Sequence, residues 1–141
     1  MARTYWRDVA HHLPQRPEFP VCVTGDHPWR TKRLSTLFSP DVVTTAEQRA
    51  RQYGITLNAL LLALHTGVLC RWLSVPDVTF NVTVTDRPFA GGPQGAGVGD
   101  YTSSILVGAF PSRNQSLEEC ARQIDHAMTE GLRYRAMSGV E

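Results

Sequence analysis

Apolar residues recur along the chain with two different periods, and the change of period divides it into helices and strands. Over residues 4–13, Tyr5, Trp6, Val9 and Ala10 fall at helical spacing and predict a short helix. Pro14 stops it. The stretch LPQRPEFPV then carries three prolines in seven residues. Because proline fixes φ and has no N–H to donate, this stretch is expected to be an extended strap across a surface. Residues 31–38 (TKRLSTLF) alternate weakly and read as a strand. After Ser39-Pro40 a helical pattern runs to Tyr53, and Gly54 stands where a glycine ends a helix. Thr56 caps a further helix over 57–73. Leu57, Leu60, Leu61, Leu64, Val68 and Trp72 form one face, but Leu62, Ala63, Leu69, Cys70 and Leu73 make the rest apolar too, the pattern of a buried helix.

At residues 78–84 (VTFNVTV) the period becomes two, with β-branched residues throughout, which predicts a strand. Phe80, Val82 and Val84 take one face, and Asn81, Thr83 and Thr85 the other. A loop over 88–99, rich in glycine and proline, separates it from a second strand at 100–110. Ser116 with Glu119 three residues on makes a capping box. It opens a helix through Leu117, Cys120, Ala121, Ile124, Met128 and Leu132. The sequence contains no internal repeat. The order helix, strap, strand, helix, helix, strand, loop, strand, helix specifies the α/β class, a mixed sheet with helices packed on it. Strands 78–86 and 100–109 are expected to be neighbours. Helix 57–73 is expected to pack on them through Leu61, Leu64 and Val68.

The length of 141 residues suits one domain spanning 1–141, or one lobe of a larger one. Hydrophobic residues at 42% suffice for a core, while charged residues at 19% are sparse enough to imply that another body normally covers part of the surface. With 14 basic against 13 acidic residues there is no electrostatic footprint of a nucleic-acid binder. No apolar run reaches the ~18 residues of a membrane span, and the N-terminus MARTYWRDVAHH lacks the apolar core of a secretory signal. Cys22, Cys70 and Cys120 are odd in number and form no CxxC pair, so no zinc site or disulfide framework is expected. Reduced core cysteines fit a cytoplasmic protein.

Each candidate site has an ordinary alternative. Asn81, Thr83 and Thr85 present three short hydrogen-bonding side chains in a row, either the wet face of a surface strand or the polar wall of a substrate channel. The loop GGPQGAGVGD resembles a phosphate-binding loop, but a strand follows it where a helix is required, so a connection is the better reading. Asp100 opens an apolar strand, close to burial that could tune a carboxyl for proton transfer, or else it caps a turn. His65 and His126 sit on helices without a second ligand at metal spacing.

Several segments, in order, resemble the heterocyclization branch of the condensation domains of nonribosomal peptide synthetases. Tyr5-Trp6 with the strap from Leu13 to Val21 is similar to the family's LPxxPxLPL. Gly54-Ile55-Thr56 and the apolar helix ending Leu69-Cys70-Arg71-Trp72 are similar to its helix closing in LxxW. Residues 78–87 resemble FTLNLTLFNR, with Asp86 in place of asparagine, and Gly99-Asp100-Tyr101-Thr102-Ser103 resembles GDFTS with tyrosine for phenylalanine. The tail from Tyr134 to Glu141 is similar to the stretch before the family's conserved arginine. His11-His12 starts like the HHxxxDG motif, but no Asp-Gly follows, which leaves the pair a helix end.

The resemblance implies one lobe of a chloramphenicol-acetyltransferase-like fold, most of the C-terminal lobe. The DxxxxD motif of the N-terminal lobe and the late PVVFTS motif are absent. It also implies an activity: condensing a carrier-bound acyl group with Cys, Ser or Thr, then cyclodehydrating the product to a thiazoline or oxazoline. By motif, Asp100 becomes the acid/base and Thr83 its hydrogen-bonding partner, with Asn81, Thr85 and Thr102 lining the channel. No metal or dissociable cofactor is implied, since substrates ride on the phosphopantetheine of carrier proteins. The expected partners are peptidyl carrier protein domains and the missing N-terminal lobe, with self-association through uncovered apolar surface, and neither nucleic acid nor membrane. The alternative is a non-catalytic lobe that binds a carrier protein or a partner lobe, and this chain alone is expected to be inactive.

Overall fold

Polar caps set the limits of the helices. The computed structural model describes residues 1–19, 32–85, 100–111, 114–135 and 137. Helix α1 (Ala2–Ala10) precedes the strap. Helix α2 (Pro40–Tyr53) begins behind Ser39, whose hydroxyl accepts from the Val42 N–H, and ends at Gly54, whose φ of 66° is the left-handed conformation glycine adopts without strain. Helix α3 (Leu57–Leu73) follows at once, capped by the Thr56 hydroxyl on the Ala59 N–H at 3.2 Å. Strand β1 (Val78–Thr85) pairs antiparallel with β2 (Thr102–Ala109), and helix α4 (Leu117–Arg133) completes the chain behind the expected Ser116–Glu119 capping box.

Strand β2 packs against α4, and the buried face of the two strands shares one core with that helix. Val78, Ile105, Val107 and Ala109 are buried on the sheet, and Cys120, Ala121 and Ile124 are buried on the helix. At Gly131, α4 comes so close that an added β-carbon would lie 3.2 Å from Ile105. Helix α1 closes one end: Trp6 is buried, its indole N–H donates to the Tyr134 carbonyl at 3.2 Å, and Tyr5 stacks on the Tyr134 ring at 4.1 Å. Helix α3 packs chiefly on α4 and reaches β1 only at its margin, where His65 meets Phe80. Asp125 of α4 ties the two helices together by accepting from both the N–H and the hydroxyl of Thr56, at 2.9 and 2.7 Å.

The α/β class and the pairing of the two strands match the sequence expectation, and among the described residues the sheet is two-stranded and antiparallel. Two expectations are corrected. Residues 32–38 form no strand: with no strand beside it among the described residues, this stretch is irregular and Leu34, Leu37 and Phe38 are exposed. In α3 the buried stripe is Ala59, Ala63 and Thr66 with Leu60, whereas Leu61, Leu64, Val68 and Trp72 are 48%, 47%, 65% and 62% exposed. Small side chains allow α3 to approach α4, which turns the large ones outward. Thr66 tolerates burial because its hydroxyl donates to the Leu62 carbonyl at 2.8 Å. Cys22, Asp86, Arg87, the loop 88–99 and the tail from Ser138 lie outside the described residues. Among the described residues, no single helix is long and apolar enough to cross a membrane.

Candidate functional site

The candidate wall follows from strand parity. Asn81, Thr83 and Thr85 are exposed on β1, with Phe80, Val82 and Val84 half-buried on the opposite face. Antiparallel register extends this face across β2 in three rungs: Asn81 opposite Leu106, Thr83 opposite Ser104, and Thr85 opposite Thr102. Directly opposed residues share a face. Four of the five sequence candidates, Asn81, Thr83, Thr85 and Thr102, therefore stand on one surface. Ser104 joins them. A reading of one strand at a time misses it, because only the register puts it beside Thr83.

The strap bounds this wall at one end. The Thr79 hydroxyl donates to the Pro14 carbonyl at 3.0 Å, one rung beyond Asn81. Opposite Thr79 is Gly108, where a β-carbon would stand 3.0 Å from both Leu13 Cδ2 and the Phe110 ring. A β-carbon here would need the Leu13 and Phe110 side chains to give way.

Asp100 marks the other end. Its Oδ1 accepts from the Thr102 N–H at 2.8 Å, so the aspartate caps the start of β2. Hydrogen bonds from the Thr102 hydroxyl and backbone hold its carboxyl below the ordinary carboxylate range, since they favour the charged form. Of the two readings of Asp100, a carboxyl near burial or a turn cap, this chain shows the cap: Asp100 is fully exposed and ionised at neutral pH. The structure brings Asp100 to Thr102, and Thr83 lies on the next rung of the ladder. Ser103 points the other way, donating to the Arg135 carbonyl at 2.8 Å and fastening the turn after α4.

The other candidates are structural. His12 ends α1 with its Nδ1 2.8 Å from the Asp8 carbonyl. Burial pushes the thiols of Cys70 and Cys120 up, which suits packing residues and not nucleophiles. A cavity of about 880 Å³ at the end of α3, lined by Cys70, Arg71, Ser74 and Pro111 among others, includes none of the wall residues. The wall is an open surface, one side of a site.

The condensation-domain family matches residues 1–138. The chain is 27% identical over 141 residues to bacitracin synthase 1 of Bacillus licheniformis, covering 97% of this chain and 3% of that one. It is 26% identical over 140 residues to pyochelin synthetase PchF of Pseudomonas aeruginosa (99% and 8%). It is 27% identical over 142 residues to phenyloxazoline synthase MbtB of Mycobacterium tuberculosis (98% and 10%). Among solved structures, it superposes on the nonribosomal peptide synthetase FmoA3 with a TM-score of 0.81 at 26% identity, over 99% of this chain and 15% of that one. The cyclization-docking bidomain of EpoB from Sorangium cellulosum gives a TM-score of 0.80 at 24% identity, over 94% and 27%. The chain thus spans a tenth or less of these curated relatives, and its α/β arrangement is that of the chloramphenicol-acetyltransferase-like condensation fold. With the strap, the helix pair and the strand pair all in place, this chain belongs to the condensation-domain family of the nonribosomal peptide synthetases.

Proposed function

We propose that this chain is part of a heterocyclization domain, which joins a carrier-bound acyl group to Cys, Ser or Thr and closes the product to a thiazoline or oxazoline. The observation that carries the reading is the row of hydroxyls across β1 and β2 ending at Asp100, made by NVT and GDYTS segments that resemble the heterocyclization motifs. Two relatives point the same way by name, a phenyloxazoline synthase and a cyclization bidomain. The peptidyl carrier protein domains that deliver both substrates on phosphopantetheine, and a second lobe facing the wall, are the partners this reading requires.

In the first step the amine attacks the thioester, the amide forms and the carrier thiol leaves. In the second, the side-chain thiol or hydroxyl adds to the amide carbonyl carbon, and the carbonyl oxygen becomes a hydroxyl. Loss of that hydroxyl as water, with loss of the nitrogen's proton, leaves the C=N bond of the ring. Asp100 is held ionised, so it starts as the base: it takes the nucleophile's proton and gives it to the carbonyl oxygen, then takes the nitrogen's proton and gives it to the leaving hydroxyl. Covering the wall with a second lobe would desolvate the carboxylate and raise its pKa toward that second task. Thr83 holds the tetrahedral oxygen.

In the synthetase that contains this segment, Asp100→Asn is expected to cut ring formation by roughly 10²–10⁴-fold, with linear amide accumulating. Thr83→Val should impair the same step less, because it removes a hydrogen bond and no charge. The ring product is one water lighter, so mass spectrometry separates the two products. Undiminished ring formation in Asp100→Asn would favour the second reading, a non-catalytic lobe that binds a carrier protein or partner lobe. The full exposure of Asp100 in this chain is the observation on that side.

A further inference from the structure

We infer that the apolar cleft at the strap end of the wall receives the acyl group of the upstream, carrier-bound substrate and selects an uncharged, bulky apolar one, aromatic or branched. The inference rests on the heterocyclization reading and names the substrate class that the same site takes. A cleft of about 460 Å³, a volume usual for a small-molecule site, opens between α1, the strap, α4 and β2. Its lining includes Leu106 and Gly108 of β2, Val9 of α1, Leu13 of the strap, and Phe110. Val9, Leu13 and Leu106 are half-buried, while Asp8 and His12 of α1, which also line it, are exposed. The cleft is therefore apolar within and polar at its mouth.

Contacts to the strap place the cleft and the wall on one face of the sheet. The Thr79 hydroxyl meets the Pro14 carbonyl at 3.0 Å, and a β-carbon on Gly108 would stand 3.0 Å from Leu13. Both residues of this rung thus face the strap. Two residues along each strand, Asn81 and Leu106 form the next rung of the same face. Leu106 belongs to the wall and to the cleft alike. At about 3.4 Å per residue, the Thr83 rung lies about 7 Å further on, and Asp100 lies beyond it, bonded to Thr102. With the reacting carbonyl at Thr83 and its proton transfers on the Asp100 side, the carbonyl's substituent is directed the other way, into the cleft. An apolar group gains there by leaving water. A charged one would lose its hydration against Val9, Leu13 and Leu106 without a partner.

The test uses the intact synthetase, its upstream carrier loaded in parallel with acetyl, benzoyl or carboxybenzoyl groups. Linear amide and ring product are counted by mass spectrometry under single-turnover conditions. The ratio of benzoyl to acetyl in the summed products is the readout, because a disturbed fold or carrier contact slows both acyl groups alike. Leu106→Phe and Val9→Phe fill the cleft from two sides, and each should lower that ratio about 10–200-fold, the range over which apolar pockets tell apart groups of slightly different size. Val9→Leu adds one methylene and should lower it by less, which keeps the test open where a phenylalanine disturbs the fold. The original synthetase should prefer benzoyl to carboxybenzoyl by about 10-fold or more. A ratio unchanged in all three variants overturns the acyl site, and equal use of carboxybenzoyl overturns the apolar class. If rings still form in either case, the heterocyclization reading stands. A synthetase that yields linear amide alone overturns that reading whatever the ratio.

Discussion

Helices α3 and α4 are each 17 residues long, and each starts behind a hydroxyl cap, yet they bury themselves by opposite means. Helix α4 is amphipathic: Cys120, Ala121, Ile124 and Gly131 are buried, Gly131 against Ile105 and Trp6, while its charges face water. Helix α3 is apolar nearly all round, and its buried stripe is Ala59, Ala63 and Thr66 with Leu60. An amphipathic helix records in its own sequence which way it faces. A uniformly apolar helix does not, because its orientation depends on how closely its neighbours approach. Leu61, Leu64, Val68 and Trp72 form a stripe that the described residues leave about half exposed or more, with Phe19 of the strap edge-on to Trp72.

The sharpest way to break this contrast is at Ile124, which is 1% exposed and among the largest fully buried side chains. Ile124→Ala removes the transfer energy of the lost methyl groups and leaves a cavity between rigid neighbours, so a destabilisation of about 2–5 kcal/mol is expected in urea denaturation. A loss below about 1 kcal/mol would mean that α4 does not depend on its apolar face.

Adjacent positions on α3 make the next comparison. Ala63 is buried and Leu64 is half exposed. Ala63→Leu forces extra volume between α3 and α4 and should cost about 1–3 kcal/mol. Leu64→Ser with Val68→Ser should change stability by only about 0.5 kcal/mol per site. The second pair should show its effect in association: an exposed apolar stripe of this kind favours contact between copies, so sedimentation at high concentration should show the original chain self-associating and the double variant less so. If Leu64→Ser proved more damaging than Ala63→Leu, the buried face would be the one read from the sequence and not the one described here.

The same contrast explains what the sequence made legible. Helix α4 could be placed from its period and its capping box, and β1 from strict alternation, so the wall of Asn81, Thr83 and Thr85 followed from parity alone. Thr102 joined it by motif resemblance. The α3 face was misread because every candidate face was apolar, and residues 32–38 because weak alternation does not supply a partner strand. Ser104 could not be recognised without the register, a long-range property that no single strand encodes. The two readings of Asp100 stayed open for a related reason: its pKa depends on what covers it, and the local hydrogen bonds from Thr102 dominate when nothing does.

The smallest effect concerns how the two helices begin. Both N-termini recruit a carboxylate, Glu119 within α4's own capping box and Asp125 reaching across from α4 to Thr56 of α3. At Ser116, the backbone N–H and then the hydroxyl donate to Glu119 and hold its carboxyl below the ordinary value of 4.5. A carboxyl whose folded-state pKa is depressed stabilises the fold above its unfolded value and loses that contribution as pH falls through the folded one. Glu119→Gln removes the titration while keeping an amide that can still reach the cap. The melting temperature of the variant should therefore lie slightly below that of the original chain at pH 7, and the gap should close as the pH is lowered from about 5 to about 3. Other carboxyls titrate alike in both proteins, so the difference isolates this one. A gap that persists unchanged at the acid end would show that the glutamate acts at the cap by shape alone, and that α4, like α3, takes its stability from packing and not from its first turn.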